Sequence, residues 1–315
     1  VSEMRAARYD RYGPPEVLYA TTVPRPVAGP GEVLVRVHGS SVNGGETKAR
    51  AGGIRLITGF RFPQAIGMDF AGEVAEVGAG VDVVAPGDRV WGFLGRTTRG
   101  AAAEYVVVRP GLLARAPEGV DLVEASALPG VGTTVITALR DQARLKAGER
   151  LLVRGASGGL GTAAVQLGKA FGAHVTGLAS RANLDFVRGL GADEAVDYRT
   201  PTAELGTYDV VLDTFGDRPW EWRRLAGPNG RMVAVAFRGV ADVAYLAAAP
   251  LLPGRPLKFF SGNPRHALFA DLTRYVESGA IRPVVDTVHP LERIADAHRA
   301  LEAGGVRGKH VISLR

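Results

Sequence analysis

The chain has 315 residues, 46% of them hydrophobic and 22% charged, with a formal net charge of +6. That length holds two domains with separate cores, and the composition is that of an ordinary globular chain. The absence of cysteine excludes disulfides, thiolate zinc sites and a cysteine nucleophile. The basic residues are scattered, which argues against a nucleic-acid surface. No signal peptide and no apolar run of transmembrane length is read, so the expected setting is cytoplasmic, with no membrane partner.

The first ~120 residues read as strands and turns. Met4–Tyr9 is a short strand, and residues 32–39 and 70–78 alternate apolar and polar side chains, as half-buried strands do. Pro86-Gly87-Asp88 forms a turn into a strand at 89–93, and 102–108 is strand-like again. From Asp121, a plausible N-cap, the period changes: helices are predicted at 122–128 and 132–143. Strands at 151–154, 174–178, 194–197, 209–213 and 231–237 then alternate with helices at 159–171, 183–189 and 220–225. This alternation predicts a doubly wound parallel sheet. A helix at 265–278, a strand at 281–285, a helix at 292–303 and a strand at 310–314 close the chain. The expected domains are 1–120 with 264–315, rich in β-strands, and 121–263.

Leu151–Arg154 runs into Gly155-Ala156-Ser157-Gly158-Gly159-Leu160-Gly161, which opens a helix. A strand, a glycine turn and a helix N-terminus bring backbone N–H groups up to a pyrophosphate, so residues 156–161 (Ala156, Ser157, Gly158, Gly159, Leu160, Gly161) are candidate cofactor contacts. An NAD site wants a carboxylate at the end of the next strand. Here that strand ends in Ser180-Arg181, a hydroxyl and a guanidinium that suit a 2′-phosphate, and NADPH is the expected cofactor. Asp213-Thr214-Phe215 ends the fourth strand of the sheet at its ligand-bearing edge.

Several further segments carry a resemblance. They are Pro30–Val37, Ser41-Val42-Asn43, Gly67–Val74, Pro86–Val90, Ala127-Leu128-Pro129, Gly132-Thr133-Thr134, Leu190–Asp193, Val196-Asp197-Tyr198 and Gly308-Lys309-His310-Val311. Together with the glycine turn, they make the chain resemble the zinc-free medium-chain dehydrogenase/reductases of the quinone oxidoreductase and zeta-crystallin type. The resemblance implies a GroES-like β-rich catalytic domain joined to a Rossmann nucleotide-binding domain. Zinc-dependent relatives carry cysteine where this chain has Ser41-Val42-Asn43, and His-Glu where it has Met68-Asp69. Their structural zinc loop is here the short Leu94–Gly100 segment, and the six histidines have no ligand spacing, so no metal is expected.

The resemblance also implies roles for single residues. Asn43 would lie beside the nicotinamide and orient the cofactor or the substrate carbonyl. Lys48 would donate to the substrate oxygen, or is simply a solvated helix lysine. Gly44-Gly45 departs from the usual proline-containing sequence and leaves that loop's geometry open. Thr134 would reach the nicotinamide half, and Tyr198 the adenosine or its 2′-phosphate. Ala236 and Phe237 would wall the nicotinamide ribose, and Phe259, Phe260 and Ser261 the nicotinamide end, although these aromatics also suit a core. The implied activity is NADPH-dependent hydride transfer to a quinone or an α,β-unsaturated carbonyl. Two other readings remain: a tailoring enoyl reductase on a bulky polyketide-like substrate, and a mainly non-enzymatic NADPH-binding protein. A homodimer is implied, with 231–237 and 243–252 as the expected sheet edge.

Overall fold

The computed structural model describes residues 2–95 and 99–315, so part of the Leu94–Gly100 loop lies outside the described residues. The chain folds into two units: Val1–Gly130 with Asn263–Ser278 and Pro283–Arg315, and Val131–Gly262 with Gly279–Arg282.

In the first unit β1 (Glu3–Tyr9) pairs antiparallel with β2 (Leu18–Pro24). β3 (Val33–Ser41) is the spine: Val33, Leu34, Val35 and Val37 are all buried, so both faces of the strand are covered. It leads into helix α1 (Gly44–Arg50). A short helix, α2 (Arg55–Thr58), and strand β4 (Gln64–Ala65), which pairs with β1, follow. β5 (Asp69–Val77), β6 (Arg89–Phe93), β7 (Tyr105–Val108) and β8 (Leu113–Arg115) complete the first run of strands. The predicted helix at 122–128 stops early, as α3 (Leu122–Ala125), and α4 (Pro129–Ile136) restarts the winding. Leu128 precedes a proline, which disfavours helical backbone there, and proline suits a helix's first turn. Asp121 caps α3 as expected, accepting the Val123 N–H at 2.8 Å.

The second unit is a six-stranded parallel sheet. In chain order its elements are β9 (Arg150–Arg154), α5 (Gly159–Ala170), β10 (His174–Ala179), α6 (Leu184–Gly189), β11 (Glu194–Asp197) and β12 (Tyr208–Asp213). α7 (Pro219–Arg223), β13 (Ala226–Ala234), α8 (Val240–Ala248) and β14 (Leu257–Phe259) follow. The strand order is β11-β10-β9-β12-β13-β14. Order reverses between β9 and β12, and open α/β sheets bind ligands at the carboxyl ends of such neighbours. The expected edge at 231–237 is corrected: β13 is internal, β14 lies outside it, and the stretch from Val240 is helical. β13 also ends before Phe237. A Cβ on Gly216 would come within 2.4 Å of the Ala236 and Phe237 backbone, so the chain leaves the ladder there to pass against that loop.

The chain then returns to the first unit with α9 (His266–Glu277), β15 (Val285–Pro290), α10 (Ile294–Ala303) and β16 (Lys309–Ser313). The strand expected at 281–285 lies later, at β15. Pro283 has no N–H to give a ladder, and pairing with β16 begins at Val285. The large sheet of this unit has the order β15-β16-β3-β5-β6-β8, with β7 also on β3. These two units are a GroES-like β-rich domain and a Rossmann domain.

Strand contact in the first unit is close at Gly72, where a Cβ would stand 2.0 Å from the Arg36 carbonyl oxygen of β3. Gly72→Ala is expected to cost about 1–3 kcal/mol of stability, read as a lower urea midpoint.

Candidate active site

The glycine turn follows β9 and opens the twelve-residue helix α5. Gly155 has φ +79°, and a Cβ there would meet Thr214 Oγ1 at 2.7 Å. A Cβ on Gly161 would lie 2.0 Å from the Gly155 carbonyl oxygen. Glycine at these positions lets the turn fold tightly under the helix, whose first N–H groups have no partner within the helix. Ser157 to Leu160 are half-buried, whereas Ala156 is buried behind the turn against Gly177 of β10. The donor-rich surface of such a turn fits a dinucleotide pyrophosphate.

A buried charge network shapes the other side of the switch point. Arg154 ends β9 and donates to the Asp217 carbonyl at 2.7 Å and to the Asp213 carboxylate at 3.3 Å, with a further ion pair to Asp217. Asp213 also accepts the Phe215 and Gly216 N–H groups, each at 3.0 Å. Its side chain is 0% exposed. Asp213 therefore sets the loop from inside and offers a ligand only the shape of that loop. Thr214 donates to the Arg154 carbonyl at 2.6 Å, and Phe215 is exposed beneath the Arg238 guanidinium, 3.8 Å from ring centroid to Cζ.

Ala179 of β10 pairs in register with Asp197 of β11, so Ser180-Arg181 and Tyr198 leave the sheet side by side. Arg181 and Tyr198 are exposed. Phe237 and Phe259 stack edge to face at 6.0 Å. With Phe260, Leu257, Leu246 and Gln142 they line a pocket of ≈ 540 Å³. Thr134 stands near Gly262 on the same unit, where a Cβ on Gly262 would lie 3.2 Å from Thr134 Oγ1. Ser261 is exposed, and Ala236 lies under Gly216.

In the GroES-like unit Asn43 caps α1, and the Glu46 carboxylate accepts the Asn43 N–H at 2.9 Å. The Asn43 carboxamide is enclosed by charge. Nδ2 donates to Asp69 Oδ2 at 2.7 Å and to Glu46 Oε2 at 3.1 Å. Oδ1 accepts from Lys309 Nζ at 2.6 Å, and Lys309 also donates to the Val42 carbonyl at 2.7 Å. Both amide hydrogens are engaged, so the carboxamide has none to give a substrate carbonyl. Lys48 is half-buried near the end of α1.

Asp69 begins β5, at the position compared above with a zinc ligand. It accepts from Ser41 Oγ at 2.8 Å and from the Gly130 N–H at 2.6 Å, besides Asn43. A carboxylate with three donors and a lysine ammonium 4.0 Å away is arranged for an anion, and the lysine would repel a divalent cation. Among the described residues no group of three histidine, cysteine, aspartate or glutamate side chains could hold a metal. The donor set does not fit catalytic zinc.

Glu46, Asp69, Lys309 and Arg154 were not singled out as site residues from the sequence. Glu46 stands three residues after Asn43, the spacing of a capping box, and that signal was available.

Residues 29–118 match the family of alcohol dehydrogenase GroES-like domains, and residues 190–312 match a family described as zinc-binding dehydrogenase. The chain is 32% identical to human mitochondrial NAD(P)H oxidoreductase RTN4IP1, over 97% of this chain and 88% of that protein. It is 33% identical to the chloroplast envelope quinone oxidoreductase homolog of Arabidopsis thaliana, over 98% of each. The solved structure of the quinone oxidoreductase from Coxiella burnetii covers 100% of both chains, with a TM-score of 0.91 at 30% identity. The chain belongs to the medium-chain dehydrogenase/reductase family, in its quinone oxidoreductase group. It is an oxidoreductase of that family, with a nicotinamide cofactor.

Burial, with the Asp69 charge beside it, pushes the Glu46 carboxyl from its ordinary 4.5 up to about 7. The native state then keeps this proton after the unfolded chain has lost it. Stability should fall by about 3 kcal/mol as pH rises from roughly 4.5 to roughly 7, and level off above. Glu46→Gln should flatten that slope in urea unfolding measured across this range.

Proposed function

We propose that the protein is an NADPH-dependent reductase of quinones or α,β-unsaturated carbonyls that works without zinc. The observation that carries the cofactor choice is the end of β10, where Ser180 and Arg181 stand in place of a carboxylate, beside Tyr198, which follows β11. A guanidinium and two hydroxyls suit a 2′-phosphate, which an aspartate there would repel. The glycine turn offers N–H groups to the pyrophosphate, and Thr214, Phe215, Ala236 and Phe237 shape the adjoining edge. Thr134, Phe259, Phe260 and Ser261 are the proposed contacts toward the nicotinamide.

A bound nicotinamide supplies a hydride. Without a Lewis acid, an alkoxide has no strong stabiliser, whereas an electron-poor acceptor needs less help. For an acceptor reduced in this way, the proton that its oxygen takes up would come from solvent or from a donor such as Lys48. Asn43 takes part as a hydrogen-bond acceptor. The names of the relatives support the quinone class. A homodimer belongs to the same reading, with the outer strand β14 as the sheet edge available for pairing.

In a fluorescence titration, NADPH should bind at least about tenfold tighter than NADH, and Arg181→Ala should remove most of that preference. Equal affinities would overturn the NADPH assignment. NADPH oxidation should proceed with members of a panel of quinones, enals and bulky enones, and elemental analysis should find no stoichiometric zinc. Tight NADPH binding without turnover of any acceptor would favour a non-enzymatic role.

A further inference from the structure

Asn43 and the three charged side chains around it come from three segments of the GroES-like unit. Asn43 and Glu46 stand at the start of α1, Asp69 at the start of β5 and Lys309 at the start of β16. Lys309, Asp69 and Glu46 are 6%, 1% and 1% exposed. Their chemistry leaves the carboxamide one orientation. An ammonium only donates and an ionised carboxylate only accepts, so a flipped amide would set NH₂ against Lys309 and oxygen against two carboxyl groups. With both hydrogens engaged, the carboxamide has one capacity left for a ligand, the second lone pair of Oδ1.

We propose that Lys309, with Asp69 and Glu46, is a positioning residue that fixes the Asn43 carboxamide as a hydrogen-bond acceptor toward the bound cofactor or substrate. Its catalytic consequence rests on the functional reading above; the orientation itself does not. The ligand group recognised is a donor, a hydroxyl or an amide N–H, and not a carbonyl.

Charge balance supports the arrangement. Two carboxylates and one ammonium leave a net negative charge in a buried place, which is costly. One proton on Glu46 removes it. Glu46 Oε1 is buried without a hydrogen-bond partner, so it has room to carry that proton, while Oε2 serves Asn43. The charged groups acting on Glu46 are Asp69 from β5 and Lys309 from β16. Lys48 and Arg50 share its own helix, and Arg50 is paired to Glu302 of α10. His298 of α10 is buried, which pushes its pKa down to about 3 and keeps it neutral.

Two readouts test this. In cofactor-free protein with isotope-labelled glutamate, infrared titration should show a protonated carboxyl band that disappears as pH rises through about 7. Glu46→Gln should abolish it. Lys309→Met removes the cation that favours ionisation, so there the band should persist to higher pH. In steady-state kinetics, Lys309→Met should lower kcat about ten- to hundredfold with little change in acceptor KM. The double variant Lys309→Met/Asp69→Asn restores charge balance and should recover melting temperature without recovering kcat. Recovery of both, or a Lys309→Met enzyme with wild-type kcat, would show a merely structural lysine and overturn the proposal. A titration unmoved by Lys309→Met would overturn it too, whether or not any acceptor is turned over.

Discussion

One carboxylate holds the polar interior of the GroES-like unit together. Asp69 is 1% exposed and accepts from Ser41, Asn43 and Gly130, which come from the end of β3, the cap of α1 and the start of α4. A charge in such a place persists only when its lone pairs are matched by donors. The match restricts its neighbours. Gly130 must lack a side chain, because a Cβ there would lie 2.8 Å from Asp69 Oδ1. Its N–H belongs to the first turn of α4, where helix N–H groups need an outside acceptor and the helix dipole favours an anion.

The nucleotide unit uses a second buried acid in a comparable way. Asp213 folds the loop after β12 around its own oxygens, while Arg154 ties that loop to the end of β9. Thr214 closes the arrangement, donating to the Arg154 carbonyl and filling the space that a side chain on Gly155 would take. The glycine turn and its neighbouring loop are thus one object, and a change in either is felt in the other. Burial pushes the Asp213 carboxyl up, and Arg154 with the two loop N–H groups opposes that shift.

Much of the fold was legible because its signals are local. The alternation of apolar strands and helices between 151 and 237 marked the parallel sheet, and the glycine turn marked its first crossover. The limits of that reading are physical as well. α1 was obscured by Gly44-Gly45, poor helix formers that here occupy the first turn, where Asn43 and Glu46 cap the helix. β14 has three residues, too few for a period to appear, so the sheet edge was placed one strand inward. The glycine turn and the register of Ser180 with Tyr198 are consecutive or strand-paired features that a sequence can display. The cluster at Asn43 joins residues 43, 46, 69 and 309, and no spacing along the chain announces that a lysine 266 positions away will face an asparagine.

The same lysine bears on how this scaffold could be re-engineered. Placing a cysteine within Ser41-Val42-Asn43 and a histidine at Met68 would add two ligand types, yet a divalent ion would still meet an ammonium group beside Asp69. Three hydrogen bonds would also have to be surrendered before that carboxylate could turn to a metal. A grafted zinc site therefore calls for removing Lys309 and rebuilding the support of Asn43 together. In this chain the hydrogen-bonded interior around Asp69, as well as the ligand set, stands against a zinc site.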